Sequence, residues 1–357
     1  MAARIDKLFD ALLELGGSDL HLGVGYPPFG RVRGDLVALR ESVVTSDEMT
    51  ETLFEIVDKD QKKLITNNLD LDFAHSYGNK ARFRANYFYK QTGLAAVFRT
   101  IPTHIRTLEE LGCPQVLYRL AERRAGLLLV TGPTGSGKST TLAGMIRHIN
   151  ENRPCHILTI EDPVEFVHTP IKAQITHREV GPDAATFTAA IRSAGREDPD
   201  VVLIGELRGT ETMKLALQIA SFGVLVFATI HTNSAPATID RIINTFPAEE
   251  QPQVRGLLAE SLIGVVSQQL VKRADGQGRI AVQEVLIGTS GLSAMIREGK
   301  TFQIPSLMQS SQGIGMQTID SALERMVQQG LISFEVGLEK ANDKETFERN
   351  VRAKQGA

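Results

Sequence analysis

The apolar positions change their rhythm along the chain, and each rhythm predicts a different kind of element. Ile5, Leu8, Phe9, Leu12 and Leu13 recur at helical spacing, and Gly16-Gly17 ends the pattern, which predicts an amphipathic opening helix. Alternation follows. Leu20, Leu22 and Val24 read as a strand, and Arg31 to Leu39 reads as a hairpin turning at Gly34-Asp35. Thr45 and Glu48 make a capping box before a helix carrying Met49, Leu53, Ile56 and Val57 on one face. Strands are then predicted at Leu69 to His75, Arg82 to Tyr89 and Leu94 to Arg99, so residues 1–105 form a small α+β domain.

From Thr107 apolar runs that would be buried on both faces alternate with longer helical segments, the pattern of a parallel sheet covered by helices. The runs are Leu127 to Val130, Ile157 to Ile160, Val201 to Ile204, Val224 to Ala228 and Ile280 to Ile287. Beyond Gly288 the pattern is wholly helical, with Ile319, Ala322, Leu323, Met326 and Val327 on one stripe and Gly330 as its stop. The expected organisation is an α/β nucleotide domain over 106–288 and a helical extension of it over 289–357. A length of 357 residues fits two cores better than one.

Charge and cysteines narrow the function. With 39 basic and 42 acidic residues there is no broad positive footprint for a nucleic acid backbone, which disfavours a DNA motor. Cys113 and Cys155 stand far apart with no zinc spacing, so no zinc site or disulfide framework is expected and a reducing cytoplasm fits. Asp6, Asp10 and Glu14 interrupt the first helix in a way no secretory signal would, and Val224 to Ile230 is far short of the roughly twenty residues that cross a bilayer. Membrane association would have to run through partners or the surface.

The chemistry starts at Gly132-Pro133-Thr134-Gly135-Ser136-Gly137-Lys138-Ser139-Thr140, directly after the first buried run. Glycines let consecutive backbone N–H groups converge on one anion, and the following helix adds its positive dipole end. Lys138 is placed for the β- and γ-phosphates and Ser139 for magnesium, so the chain is expected to bind ATP with Mg2+. Two acidic clusters close other buried runs, where a doubly wound sheet gathers its ligands. Glu161-Asp162-Pro163-Val164-Glu165 can aim carboxylates at magnesium and the attacking water, while Glu206 stands where a P-loop ATPase keeps a water-activating base or a metal partner. His231, in Thr229-Ile230-His231-Thr232, closes the next run and can reach the γ-phosphate, and the remaining histidines show no metal-binding spacing. Arg82, Arg84 and Arg99 lie on strands of the first domain, as a solvated face or as arginines delivered to a transferring phosphate.

Taken in order, Ser18-Asp19-Leu20-His21-Leu22, the phosphate loop, the Glu161 box, Arg196-Glu197-Asp198-Pro199-Asp200 leading to Gly205-Glu206, Thr229-x-His231 and Met316-Gln317-Thr318 give a whole-chain pattern. It resembles the type IV pilus retraction ATPases of the secretion-ATPase superfamily, the PilT and PilU type. The resemblance implies a PAS-like N-terminal domain, a RecA-like ATPase domain and a homohexamer that acts on an inner-membrane platform protein from the cytoplasmic side, withdrawing pilin in twitching motility. It also implies that Glu161, Asp162 and Glu165 organise magnesium and water, Glu206 is the catalytic base, His231 senses phosphate, and Arg82, Arg84 and Arg99 approach the nucleotide. Extension ATPases of the superfamily carry an additional N-terminal domain and usually a four-cysteine zinc module, neither of which is found in these residues.

The sequence also departs from the retraction pattern. It reads Ala220-Ser221-Phe222-Gly223-Val224 where Ala-Glu-Thr-Gly-His is usual, Gly291-Leu292-Ser293-Ala294-Met295-Ile296-Arg297-Glu298 where Ala-Ile-Arg-Asn-Leu-Ile-Arg-Glu is usual, and Gly209 where Asp is common. The phosphate loop and Glu206 are intact, so hydrolysis is expected to survive. The alternatives are an accessory or weakly catalytic motor that works with a paralogous retraction ATPase, and a secretion or DNA-transfer ATPase of the same superfamily.

Overall fold

The structure, a computed structural model, describes residues 3–32, 34–78, 80–101 and 104–355. Its contacts divide the chain into two compact units, Met1–His104 with Pro163–Val167, and Ile105–Asp162 with His168–Ala357.

The first unit contains α1 (Asp6–Glu14), β1 (Asp19–Gly23), β2 (Phe29–Val32), β3 (Asp35–Ala38), α2 (Ser46–Phe54), α3 (Lys59–Asn68), β4 (Asp70–Tyr77), β5 (Ala81–Lys90) and β6 (Gly93–Ile101). Its strands form one antiparallel sheet in the order β3-β2-β1-β6-β5-β4, the α+β frame of a PAS-like domain. Alternation sorts the two faces. On β5, Ala81, Phe83, Ala85 and Tyr87 are buried, whereas Arg82 and Arg84 point away from them. Phe9 of α1 stacks on Phe83 at 4.1 Å between ring centroids and meets Phe98 edge-on at 5.1 Å, so the opening helix is fixed by aromatic packing.

The helix expected after Thr45 to carry Met49 through Val57 is shorter, and a second helix that the sequence reading lacked follows it. The Thr45 hydroxyl accepts from the Glu48 N–H, but the Glu48 carboxylate pairs with Arg40 at 2.6 Å and does not return to the cap. The helix stops at Phe54, and Asp58 with Gln61 forms a complete capping box that starts α3. Sequence periodicity ran across the break because Ile56 and Val57 kept the apolar count.

The second unit continues with α4 (Val116–Ala121), β7 (Gly126–Thr131), α5 (Lys138–Asn152), β8 (His156–Glu161), β9 (Gln174–Glu179), α6 (Phe187–Ala194), β10 (Val201–Ile204), α7 (Gly209–Ser221) and β11 (Leu225–Ile230). It is completed by α8 (Ala235–Asn244), α9 (Gln251–Ser261), β12 (Leu262–Lys272), β13 (Arg279–Ile287), α10 (Ser290–Glu298), α11 (Ile304–Ser310), α12 (Ile319–Gln328), α13 (Phe334–Lys340) and α14 (Lys344–Gln355). The sheet order is β13-β12-β7-β11-β10-β8-β9, with α6 to α9 packed on one face and α4 and α5 on the other. This is the RecA-like α/β arrangement, and the helices after β13 include a small core of their own around Leu323 and Phe347.

Three features of this sheet depart from the sequence expectation. The run Ile280 to Ile287 is antiparallel to its neighbour, not part of an all-parallel sheet, because β12 and β13 are joined by a tight turn too short for a parallel crossover. β12 itself was missed since Leu262 both ends α9 and begins the strand, leaving no turn signal. β9, a polar edge strand beside β8, lacks the apolar run that marks the central strands. No helix among the described residues is long and apolar enough to cross a membrane.

Candidate nucleotide site

The phosphate loop leaves β7 at Thr131 and enters α5 at Lys138. A side chain is impossible at Gly132, where φ is +142° and a Cβ would lie 2.2 Å from the Gln268 carbonyl oxygen. Gly137 takes φ +85° as the residue before α5 and lets the loop swing directly into the helix. The loop therefore presents α5's first turn with its unpaired N–H groups to an anion. Pro133, Thr134 and Gly135 are exposed, Ser136 and Lys138 are buried, and Ser139 and Thr140 are half-buried.

Lys138 is a buried ammonium held by its own loop. Its Nζ donates to the Gly132 carbonyl at 3.0 Å and to the Pro133 carbonyl at 3.1 Å, and stands 3.5 Å from Nδ1 of His231. The other side of the same imidazole carries Nε2, 3.3 Å from a Glu206 carboxylate oxygen. Three of the expected residues, Lys138, His231 and Glu206, are thus brought into one line. The strand ends that carry them are adjacent, since β7, β11 and β10 are successive parallel neighbours.

Arg208 joins them from outside the expected set. It donates to the second Glu206 oxygen at 2.7 Å. Burial pushes the Glu206 carboxyl up, but the Arg208 hydrogen bond and charge, with His231, outweigh it and hold the group below the ordinary carboxylate range. In this arrangement Glu206 is charged and engaged, a weak base until Arg208 releases it. Its sequence signal is only a cation two residues after a strand-end acid, which is too common to single out.

Glu161 and Asp162 sit at the end of β8, where Gly205 passes so close that a Cβ there would meet the Glu161 Cα at 3.4 Å. Glu165 falls within Pro163–Val167, which groups with the first unit, whereas Glu161 and Asp162 belong to the second. Arg82, Arg84 and Arg99 belong to the first unit as well. Arg84 and Arg99 are direct cross-strand partners on β5 and β6, and Arg99 is paired to the buried Asp19 at 2.9 Å.

Two observations bear on whether a phosphorylated ligand with its metal suits the loop. Thr131 Oγ1 and Ser136 Oγ are both buried at the loop with no hydrogen-bond partner, the state expected of groups that complete their bonding with a ligand or ordered water. A cavity of about 1070 Å³ opens beside the start of α5, lined among others by Gly112, Thr140, Thr141, Leu270, Arg279 and Arg325. Sequence reasoning missed its walls, because they are scattered over β12, β13 and α12.

A type II/IV secretion system protein family matches residues 67–339. The chain belongs to this family. It is 47% identical over 343 residues to the type IV pilus retraction ATPase PilT of Pseudomonas aeruginosa, covering 96% of this chain and 99% of that one. The type IV pilus ATPase PilU of the same organism is 40% identical over 341 residues, 95% of this chain and 89% of its own length. A solved structure of the pilus retraction motor PilT with bound ADP aligns with a TM-score of 0.91 at 40% identity, over 98% of this chain and 100% of that one.

As a secretion-family ATPase of the pilus retraction type, the chain binds nucleotide, and the departures in its sequence acquire physical content. Gly209 adopts φ +78° at the start of α7, a conformation that an aspartate there would hold only under strain. Ser221 caps its own helix end, its hydroxyl donating to the Leu217 carbonyl at 2.8 Å, and Phe222 is 85% exposed. Ser293 donates to the Ala259 carbonyl at 2.6 Å, tying α10 to α9.

Proposed function

We propose that six copies of this chain form a ring that spends ATP, bound with Mg2+ at Gly132 to Thr140, on withdrawing pilin subunits from a type IV pilus. The ring would work on the cytoplasmic side of the inner membrane, peripherally, against the pilus platform protein. The observation that carries the reading is the line Lys138, His231, Glu206 and Arg208 across the mouth of the phosphate loop.

Each group has a chemical task that follows from its place. Lys138 turns from its own loop carbonyls to the β- and γ-phosphates, and the α5 N–H groups share the negative charge. Glu206, freed from Arg208, accepts the proton of the attacking water. His231, between Lys138 and Glu206, reports whether the γ-phosphate is there, because both neighbours must move to accommodate it. Ser139, Glu161, Asp162 and Glu165 are the residues that would hold Mg2+, partly through water. When bound, the ion neutralises charge on the transferring phosphoryl group. Arg82, Arg84 and Arg99 are proposed to reach the nucleotide from the first unit. The cavity beside Thr140 and Thr141 suits the nucleoside end of ATP in position and size.

The test is steady-state ATPase activity of the purified ring. Lys138→Ala should abolish nucleotide binding and turnover, and Glu206→Gln should keep binding while turnover falls about 10²- to 10⁴-fold. Equal turnover in the wild type and both variants would sink the reading. The exposed Phe222 and the left-handed Gly209 favour a second reading, an accessory ring that works with a paralogous retraction ATPase. Nucleotide binding without turnover, alone, and turnover restored in a mixed ring would select it; robust turnover alone would remove it.

A further inference from the structure

The strand β12 begins Leu262-Ile263-Gly264-Val265-Val266-Ser267-Gln268, and within it Gln268 is an amide buried to 1% exposure where the pattern calls for an apolar side chain. Burying an amide is costly unless every hydrogen-bonding group on it is used. Here its nitrogen is used on the phosphate loop and its oxygen on α5 and β13. Gln268 Nε2 donates to the Ser136 carbonyl at 2.6 Å, and its Oε1 accepts from the Thr141 hydroxyl at 2.9 Å and from Gln283 Nε2 at 3.1 Å. Its backbone oxygen is the atom that excludes a side chain from Gly132.

The bonding continues away from the loop. Gln317 Nε2 donates to the Gln283 carbonyl at 2.6 Å, and Gln317 Oε1 accepts from Arg325 at 2.9 Å. Gln283 and Gln317 are 3% and 7% exposed. The Gln317 bond reaches the main-chain oxygen of Gln283, so the direction of the side-chain amides is anchored at the loop, where the Ser136 carbonyl can only accept. Gln283 offers its NH2 to Gln268 Oε1, which leaves the Gln268 NH2 facing the loop.

We propose that Gln268 is a positioning residue for the phosphate loop and that Gln283, by donating to it, sets the direction of its amide. A group at Gln283 that accepts instead would turn the Gln268 amide over, set its oxygen against the Ser136 carbonyl and loosen the loop without touching nucleotide. The inference rests on the phosphate-loop reading above.

The experiment measures affinity for a fluorescent ADP analogue across pH, with thermal melts as the check on folding. Gln268→Met, which keeps volume and removes the amide, should weaken binding at least about tenfold at every pH, since Ser136 loses its buried partner. Gln283→Glu should bind like wild type where its carboxyl is protonated and can donate, and weaken progressively as pH rises and it becomes an acceptor only. Gln283→Met should follow the wild-type pH profile. A Gln283→Glu profile parallel to wild type, or undiminished binding by Gln268→Met, overturns the proposal. Should Gln283→Glu fail to fold, Gln268→Met decides alone. If the wild type itself does not bind nucleotide, the functional reading falls; if it binds and the variants behave alike, only the amide chain does.

Discussion

The phosphate loop and the arginine face of the first unit's sheet are both proposed to serve the same nucleotide, yet they are built in opposite ways. At the loop, ligand groups are mostly backbone N–H, aimed by left-handed positions that glycine alone takes readily, so the consecutive residues Gly132 to Thr140 determine the geometry. On the sheet, Arg82, Arg84 and Arg99 are aimed merely by strand alternation, which fixes their face and nothing more. Arg99 is held within its own unit: Asp19, buried and held charged below the ordinary range against its burial by Ser18 and Arg99, occupies the Arg99 guanidinium. A backbone site is complete within its own segment, whereas a side-chain site depends on what other segments supply.

Replacing an arginine tests that contrast with the largest expected effect. If Arg84 is delivered to the transferring phosphate, Arg84→Ala should lower turnover by about 10³-fold or more while the melting temperature stays near that of the wild type, because the side chain is exposed. Arg99→Ala should cost less in turnover and more in the stability of the first unit, on the order of 1 kcal/mol or below for so exposed a cation. Turnover unchanged in both variants would return Arg84 and Arg99 to a solvated face and leave the loop as the one half of the comparison still proposed to serve the nucleotide.

The same contrast explains what could be read in the sequence. Lys138, Glu206 and His231 were legible because each closes or follows a continuous apolar run, and parallel neighbours bring such strand ends together without further information. The break between α2 and α3 was not, although the Asp58 and Gln61 capping box that starts α3 is local, because Ile56 and Val57 continue the apolar spacing of α2 past its end at Phe54. Nor was the direction of β13, which follows from the length of one turn, or Arg208, whose role exists only once Glu206 has a position. Gln268 did leave a signal, an amide just beyond the apolar run Leu262 to Val266, but its partners Ser136 and Gln283 are 132 and 15 residues away.

A smaller effect sharpens the loop side of the comparison. Arg208 holds Glu206 below the usual carboxylate range although burial alone would raise it. A base must be deprotonated, so the acid limb of the kcat/KM profile should lie low in the wild type and move to higher pH in Arg208→Ala. Turnover at neutral pH should change less than about tenfold, because the base itself remains. An acid limb that does not move would mean Arg208 has already left Glu206 before the rate-determining step.

The smallest expected effect concerns Glu284, a carboxylate 6% exposed on β13 that belongs to neither the loop nor the arginine face. Its Oε1 accepts from the Ala235 N–H at 2.6 Å, at the start of α8, and the Ile319 N–H at the start of α12 also bonds to it. Burial raises its proton affinity, and the two backbone donors offset only part of that rise. The sign of the linkage follows: a carboxyl whose folded pKa is raised contributes fully to stability below its unfolded pKa and loses that contribution as pH climbs through the folded value. Asp19 and Glu206, both lowered, act in the opposite direction, so the test must be a difference between two proteins. Between about pH 4 and about pH 8, the melting temperature of Glu284→Gln should gain on that of the wild type by about 2 °C, since the amide has no proton to lose. A constant gap over that range would show that the two helix N-termini compensate the buried charge completely, which would make Glu284 a backbone-held anion of the same kind as the phosphate the loop is built to take.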